Sequence, residues 1–435
     1  MNVSLCTLML VVAGAAGLPR NAQAQARPPG SPLPLTEAPP APTAGATDSS
    51  AAAAETPAPA AAAERDSTAS PPAKPAASAA PSGASAPPAR EAASSFGSGE
   101  DFSAPPSQPS LTLKMYGDTH FQVRNHADVH DSFAAPHLDL FGNAEAERLA
   151  FMTEVFFEAD DNEIAVDVER MQVTYLFANW LRLRMGRTHT AFGYYNDTYH
   201  HGNLFELTTT RPYAAQFEDA GGLFTAHLVG LGGDGTFELS GAGQLRYDIE
   251  VGNGRSSDTT SVAIEEASKD VKLVNVRLRW LPTDALILGV NALHDQIPSA
   301  TVGVATRPKL DELIAGVHVV YLDHGVHALL EAYAIRHAPS AGPTRSTYGG
   351  FMELGYAIGQ FTPYFRSERI QFPRAGDLIF QADDSPYFGV RIFVDYRLGL
   401  NWQPLPQLAL KLEGQELQVG SNHQELATFK AAFGF

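Results

Sequence analysis

The stretch Leu426-Ala427-Thr428-Phe429-Lys430-Ala431-Ala432-Phe433-Gly434-Phe435 alternates in a strict period of two up to the last residue of the chain. Its odd-numbered residues put three phenylalanines and two alanines on one face of a β-strand. A soluble domain seldom ends on such a strand, because the unpaired edge would be sticky. A closed barrel removes that edge by pairing its last strand with its first. The stretch therefore predicts a barrel strand.

A final strand with Phe429, Phe433 and Phe435 on one face resembles the end of bacterial outer-membrane β-barrel proteins. The resemblance implies a C-terminal signal that the outer-membrane assembly machinery reads. It also implies a place in the outer membrane of a Gram-negative bacterium, with the lipid bilayer as a partner. This resemblance predicts a location more than an activity.

The first 110 residues predict a leader and a linker. Residues 1–26 read as a signal peptide, because Leu5 to Leu18 is apolar and Ala22-Gln23-Ala24 offers a small-residue cleavage site. No Lys or Arg precedes the apolar run, which leaves a retained anchor as the alternative. Residues 27–110 are rich in Ala, Pro and Ser and predict a disordered linker. Cys6 is the only cysteine, so the mature chain is expected to form no disulfide.

Residues 111–435 predict an all-β, transmembrane antiparallel barrel of about 16 strands. The clearest alternation runs from Thr236 to Val251, where apolar residues such as Phe237 and Ile249 interleave polar ones such as Asp248. We expect strands at 111–124, 136–144, 147–160, 164–178, 180–190, 222–232, 236–252, 269–281, 285–297, 310–322, 326–337, 346–358, 361–371, 390–403, 407–419 and 426–435.

The connections between these predicted strands alternate between short and long. Short turns are expected at Gly233–Gly235, Pro282–Asp284 and Asp323–Gly325, among others. Long loops are expected at 125–135, 191–221, 253–268, 298–309 and 372–389. Short periplasmic turns and long external loops are typical of outer-membrane barrels. A soluble β-sandwich has no reason to sort its loops by parity.

A barrel of about sixteen strands is wide enough for an aqueous channel, so its inward face is the expected functional surface. The polar parity assigns nearly equal numbers of basic and acidic residues to that face. The basic set is Arg182, Arg184, Arg246, Arg277, Arg279, Arg366, Arg397, Lys411 and Lys430. The acidic set is Glu238, Asp248, Glu250, Glu331, Glu353, Glu368, Asp395 and Glu413. Arg182, Arg184, Arg277 and Arg279 either attract anions as a ladder or pair with lumenal carboxylates.

The segment Arg184-Met185-Gly186-Arg187-Thr188-His189-Thr190-Ala191-Phe192-Gly193-Tyr194-Tyr195-Asn196 ends a predicted strand and opens a long loop. It is similar to the corresponding part of porins, including the phosphate-selective type, and closer still to uncharacterised porin-like barrels. The resemblance implies that loop 191–221 folds inward and narrows the channel, and that the protein is compatible with a homotrimer. The candidate constriction residues are Tyr194, Tyr195, Tyr199, Glu206, Arg211, Glu218 and Asp219.

Other function classes receive little support from the sequence. Residues 111–435 carry 25 Lys+Arg against 40 Asp+Glu, −15 of the total charge of −18, which disfavours a nucleic-acid partner. His126 with His130, and the pair His200-His201, are the best metal candidates, but neither has a helix to converge its rings. We expect neither metal nor cofactor. The sequence contains no G-x-S-x-G, P-loop or H-E-x-x-H motif, so no enzyme activity is expected.

The sequence therefore predicts an outer-membrane channel through which small hydrophilic solutes or ions diffuse. Its lumen would be charged and narrowed by loop 191–221. The alternative is a structural protein whose linker, residues 27–110, ties the outer membrane to the cell wall.

Overall fold

The computed structural model describes residues 108–125, 131–160, 163–199, 203–262, 264–265, 272–302, 305–382 and 385–435. The predicted leader and nearly all of the predicted linker lie outside these residues. So do the metal candidates His126, His130, His200 and His201.

Sixteen antiparallel strands form a closed barrel, which confirms the predicted fold class. Two further short strands, β10 and β11, pair as a hairpin in the connection between β9 and β12. In chain order the strands are β1 (Ser110–Arg124), β2 (Ser132–Ala146), β3 (Leu149–Asp160), β4 (Glu163–Ala178), β5 (Leu181–His189), β6 (His227–Leu239), β7 (Gly243–Asn253), β8 (Leu273–Thr283), β9 (Leu286–Ile297), β10 (Ala300–Val302), β11 (Ala305–Arg307), β12 (Leu310–Asp323), β13 (Val326–Pro339), β14 (Arg345–Tyr356), β15 (Phe361–Gln371), β16 (Ile392–Leu405), β17 (Leu408–Val419) and β18 (Asn422–Gly434).

The final strand closes the barrel against the first, as its sequence pattern predicts. β18 pairs with β1 from Leu426, opposite Arg124, to Gly434, opposite Tyr116. Phe435 extends the ladder: its N–H donates to the carbonyl of Met115 at 2.9 Å, and its carbonyl accepts from Met115 N at 2.8 Å. The chain end is therefore fully paired, and no strand edge is left.

The strands turn apolar side chains outward, and their inward faces are mainly polar, except on β12 and β13, where part of the inward face is apolar as well. In β8, Val274, Val276 and Leu278 point outward and remain 36–44% exposed, whereas Asn275 and Arg277 point inward and are fully buried. An apolar outer surface of this kind is suited to contact with hydrocarbon. The inward side chains are shielded because the lumen contains a loop.

The loops sort by side of the barrel. Seven connections on one side have two to four residues, such as Glu147–Arg148 and Asn179–Trp180. On the opposite side lie the long connections 190–226, 254–272 and 372–391. Two connections on that side are short exceptions of two residues each, β3–β4 and β17–β18 (residues 420–421). The predicted alternation of loop lengths is present.

One predicted turn is wrong. β6 continues through Gly233–Gly235 to Leu239, and the chain turns at 240–242. A Cβ on Gly235 would lie 2.1 Å from the carbonyl oxygen of Trp180, so this glycine permits close strand approach and does not mark a turn. The actual turn uses Gly241 and Gly243, which have φ values of 75° and 83°.

Among the described residues, helical structure is confined to two short segments of the β5–β6 loop: α1 (Tyr195–Thr198) and a 3₁₀ turn (Tyr213–Ala215). Within the described parts of the chain, no helix is both long enough and apolar enough to cross a membrane.

A disulfide across the β1–β18 seam tests barrel closure. Val123 lies directly opposite Ala427, and both face outward. In a Cys6→Ser background, Val123→Cys with Ala427→Cys should form a disulfide in the refolded protein without changing its circular dichroism, since opposed residues have Cβ atoms within about 5.5 Å.

The matched control pairs Val123→Cys with Ala431→Cys. Ala431 lies on the same face of β18 but about 13 Å farther along the strand, so this pair should stay reduced. Equal cross-linking of the two pairs, or none in the first, would contradict a closed seam in this register.

Candidate pore and its inward loop

The connection between β5 and β6, residues 190–226, lies inside the barrel; we call it the inward loop. Its apolar side chains are packed as in a protein core: Phe192, Leu223 and Phe224 are fully buried and Tyr195 is 1% exposed. The Phe192 ring lies 5.8 Å from the ring of Tyr333 on β13. The loop thus covers part of the barrel wall.

Carboxylates on alternate strands hold the inward loop by its backbone. Glu331 on β13 accepts the N–H groups of Tyr194 at 2.8 Å and Tyr195 at 2.6 Å. Glu413 on β17 accepts from Thr209, through its N–H at 3.1 Å and its hydroxyl at 2.5 Å.

Glu368 on β15 provides the third such contact. It accepts the N–H of Tyr213 at 2.8 Å and that of Ala214, which begin the 3₁₀ turn. Hydrogen bonds to charged acceptors contribute about 1.5–3 kcal/mol each, and they satisfy buried donors that would otherwise be costly. The three carboxylates fix three separate points of the loop.

Basic lumenal side chains bind the loop carbonyls in the same way. Arg277 donates to the carbonyl of Gly193 at 2.7 Å and also pairs with Asp197 at 2.6 Å. Arg366 donates to the carbonyl of Thr210 at 2.8 Å. Lys411 donates to the carbonyls of residues 206 and 208 at 2.7 and 2.9 Å. These charges hold the loop.

The four arginines that formed the candidate anion ladder are paired with carboxylates. Asp234 accepts from Arg182 and Arg184, each at 2.7 Å, and Arg184 also pairs with Glu250 at 2.6 Å. A second group joins Asp248 to Arg277 at 2.8 Å and to Arg279 at 3.2 Å. The geometry corresponds to the second of the two interpretations, in which lumenal charges satisfy one another.

The other candidate residues on the strands bond to neighbouring side chains at different depths of the barrel. Arg397 is buried and pairs with Asp395 at 2.7 Å and Glu413 at 2.9 Å. Glu353 pairs with His327 at 3.0 Å. Arg246 bonds to Gln244, whose amide in turn donates to Glu238 at 2.9 Å, near the end of the barrel that carries the short turns.

The open part of the lumen lies on the other side of the inward loop. A cavity of about 840 Å³ separates residues 203–220 of the loop from the inner face of β2–β5. Among the described residues, the acidic ones that line it are Glu158, Asp167, Glu169, Glu206, Glu218, Asp219 and Glu265. The basic ones are Arg187, Arg211 and Lys430, and the imidazoles of His137 and His227 also line it.

The constriction candidates divide into two groups. Glu206, Arg211, Glu218 and Asp219 border this cavity. Tyr194, Tyr195 and Tyr199 pack instead within the loop and against the wall, and the Tyr195 ring meets the edge of Phe351 with a centroid distance of 5.7 Å.

Two carboxyl groups of the inward loop have shifted pKa values. Burial raises the pKa of Glu206, and the charges of Lys411 and Arg211 offset this effect only in part. Burial also opposes ionisation of Glu218. However, the charge and hydrogen bonds of His227 hold the pKa of Glu218 below its usual range.

One part of this acidic wall escapes period-two reasoning because of a β-bulge in β4. Glu154 on β3 pairs with Arg170 and the next residue, Val155, pairs with Val168, so Glu169 is the extra residue. Glu169 and Arg170 are consecutive yet both buried in the lumen, at 6% and 8% exposure. The adjacent pair of charges in an otherwise alternating strand is the one sequence signal of this bulge.

Within the described residues no group of three or more His, Cys, Asp or Glu side chains is arranged to hold a metal ion.

No protein-family model and no curated protein sequence matches the chain. Solved structures do match. OmpT, an outer-membrane protein of Vibrio cholerae, gives a TM-score of 0.52 at 11% identity, over 77% of this chain and all of OmpT. The anion-selective porin from Comamonas acidovorans gives 0.51 at 13% identity, over 75% and 100% of the two chains. Salmonella typhi OmpF, in complex with daunomycin, gives 0.53 at 11% identity, over 75% and 97%.

The chain has the porin fold. At these identities the likeness concerns architecture alone. The selectivity or ligand named for a porin neighbour is therefore a property of that neighbour. The charged residues that border the cavity are features of this chain itself and are not taken from those neighbours.

Removing one loop-holding carboxylate should loosen the inward loop while leaving the barrel closed. Glu413→Ala leaves Thr209 without its buried acceptor and removes one of the two carboxylates that pair with Arg397, a change that costs roughly 3–5 kcal/mol. We expect chymotrypsin to cleave at Phe205 or Tyr213 at least about tenfold faster than in the parent protein, because local opening becomes more populated.

Glu416→Ala is the matched control, since Glu416 lies three residues along β17 on the exposed outer face. In Glu416→Ala, chymotrypsin should cleave the inward loop at the same rate as in the parent protein. Equal rates in Glu413→Ala and the parent would show that the carboxylate does not hold the loop.

Proposed function

We propose that the protein is an outer-membrane channel of a Gram-negative bacterium, through which small hydrophilic solutes or ions diffuse. The observation that carries the proposal is the division of the lumen. Side chains of β8–β17 hold the inward loop against one part of the wall, and a charged cavity of about 840 Å³ remains beside β2–β5. A charged, water-accessible lumen inside an apolar shell is suited to passive permeation.

The proposal includes the surroundings of the barrel. The lipid bilayer solvates the outer face, and the strand carrying Phe429, Phe433 and Phe435 serves as the signal for the assembly machinery. Residues 1–26 act as an export leader and 27–110 as a spacer. A homotrimer is supported by the likeness to a trimer form of V. cholerae OmpT, with a TM-score of 0.52 at 10% identity. The role is transport without catalysis.

Planar-bilayer recording of the refolded full-length chain tests this function. We expect stepwise ionic conductance from single insertions. Ala220→Trp, which places a large ring on the loop side of the cavity, should lower the conductance of each step, because the passage narrows.

Ala427→Trp is the control, since Ala427 faces outward on β18. It should conduct like the parent. A folded protein that inserts without conductance would overturn the channel proposal and favour the structural alternative.

A further inference from the structure

The wall that faces the inward loop carries carboxylates at successive depths. Glu158 on β3 and Asp167 on β4 lie near the end of the barrel with the long loops, and Glu169 follows on β4. Asp139 on β2 and Glu154 on β3 lie deeper. Neighbouring inward residues on one strand are about 6.6 Å apart, so the acidic groups form a series along the lumen.

The basic residues that border the cavity are occupied. Arg187 pairs with Asp167 at 3.2 Å and Glu169 at 3.6 Å. Lys430 pairs with Asp118 at 3.1 Å. Arg211 donates to the carbonyl of Ala215 at 2.7 Å and lies over a phenylalanine ring. The cavity lining therefore has an acidic excess.

Several of these acids have a buried oxygen without a hydrogen-bond partner, Oε1 of Glu154 among them. Among the described residues, Oε2 of Glu206 and Oδ1 of Asp139 are buried and have no hydrogen-bond partner, and each residue is 2% exposed. Glu206 borders the cavity directly. Buried carboxylate oxygens are normally paired, because desolvating them is costly. A cation in the cavity would supply a partner for Glu206.

Charged residues elsewhere in the lumen do not offset this acidic excess. On β5 and β8 the arginines are joined to Asp234, Glu250 and Asp248, so their charges are locally compensated. On β15–β17 the charged side chains contact the backbone of the inward loop. The net negative charge along the open passage thus comes from the acidic residues of β2–β4 and from the carboxylates of the inward loop.

We propose that the passage selects small monovalent cations over anions, and that Glu206 and Asp139 are selectivity-determining residues that a permeating cation contacts. This inference rests on the proposed channel function and deepens it. Chloride is disfavoured because it meets the same carboxylates, while the cationic groups among the described lining residues are already engaged.

The reversal potential of the refolded full-length protein in a KCl gradient tests the inference. We expect potassium to be favoured over chloride. Glu206→Gln and Asp139→Asn should each lower the potassium-to-chloride permeability ratio by about two- to fivefold at low salt, the effect of one charge a few ångströms from the ion, and by less at high salt. Glu416→Gln removes the same charge from the outer face and should leave the ratio unchanged.

A parental ratio at or below unity, or a ratio that neither lumenal variant changes, overturns the inference while leaving the channel function intact. Glu206 lies on the loop and not in a strand, so Glu206→Gln decides the question alone should Asp139→Asn fail to fold. Absence of conductance in the folded parent overturns the channel function itself, and this inference with it.

Discussion

Backbone amides of a loop inside a barrel need acceptors that the strands cannot offer, because strand carbonyls are used in the ladder between neighbours. Here side-chain carboxylates fill that role. Glu331, Glu368 and Glu413, on β13, β15 and β17, each accept hydrogen bonds from the inward loop. Their spacing on alternate strands lets one long segment be held at several points. The position of the loop, and so the shape of the lumen, depends on these contacts.

The consequence is an asymmetric lumen. On the side where the loop is held, opposite charges are adjacent and buried, as in the Asp248–Arg277 pair at 2.8 Å. On the β2–β5 side the wall stays open to the cavity, and acidic residues outnumber basic ones in its lining. The near balance among the lumenal charges assigned from sequence parity therefore does not extend to the wall beside the cavity. Permeation depends on the local charge, since fixed charges act over a few ångströms in salt solution.

Much of the fold follows from the sequence because period two is imposed directly by the strand. The pattern at Ala427 and Phe429 predicts the closing strand, and the alternation of loop lengths predicts the strand number. The turn at Gly233–Gly235 was misplaced because glycine serves two purposes: it permits a turn and it permits close backbone approach. Only the three-dimensional packing distinguishes these two roles, and here it is the close approach of Gly235 to the backbone of Trp180.

The site was less accessible to sequence reasoning. Parity assigns Arg277 or Glu413 to the lumen, but it does not show which lumenal charges the loop will cover. It also fails at Glu169, where an extra residue turns two consecutive side chains inward. The candidates Glu206, Glu218 and Asp219 were found because they lie on the inward loop, whereas the facing wall required the structure.

Peptide-level amide hydrogen exchange on the folded protein tests the central claim most directly. The amides of Tyr194, Tyr195, Thr209 and Ala214 donate to strand carboxylates, so segments containing them should be protected to a degree similar to β13 and β17. Exchange of these segments at the rate of an unstructured chain would contradict the account, because the inward loop would not be held against the wall.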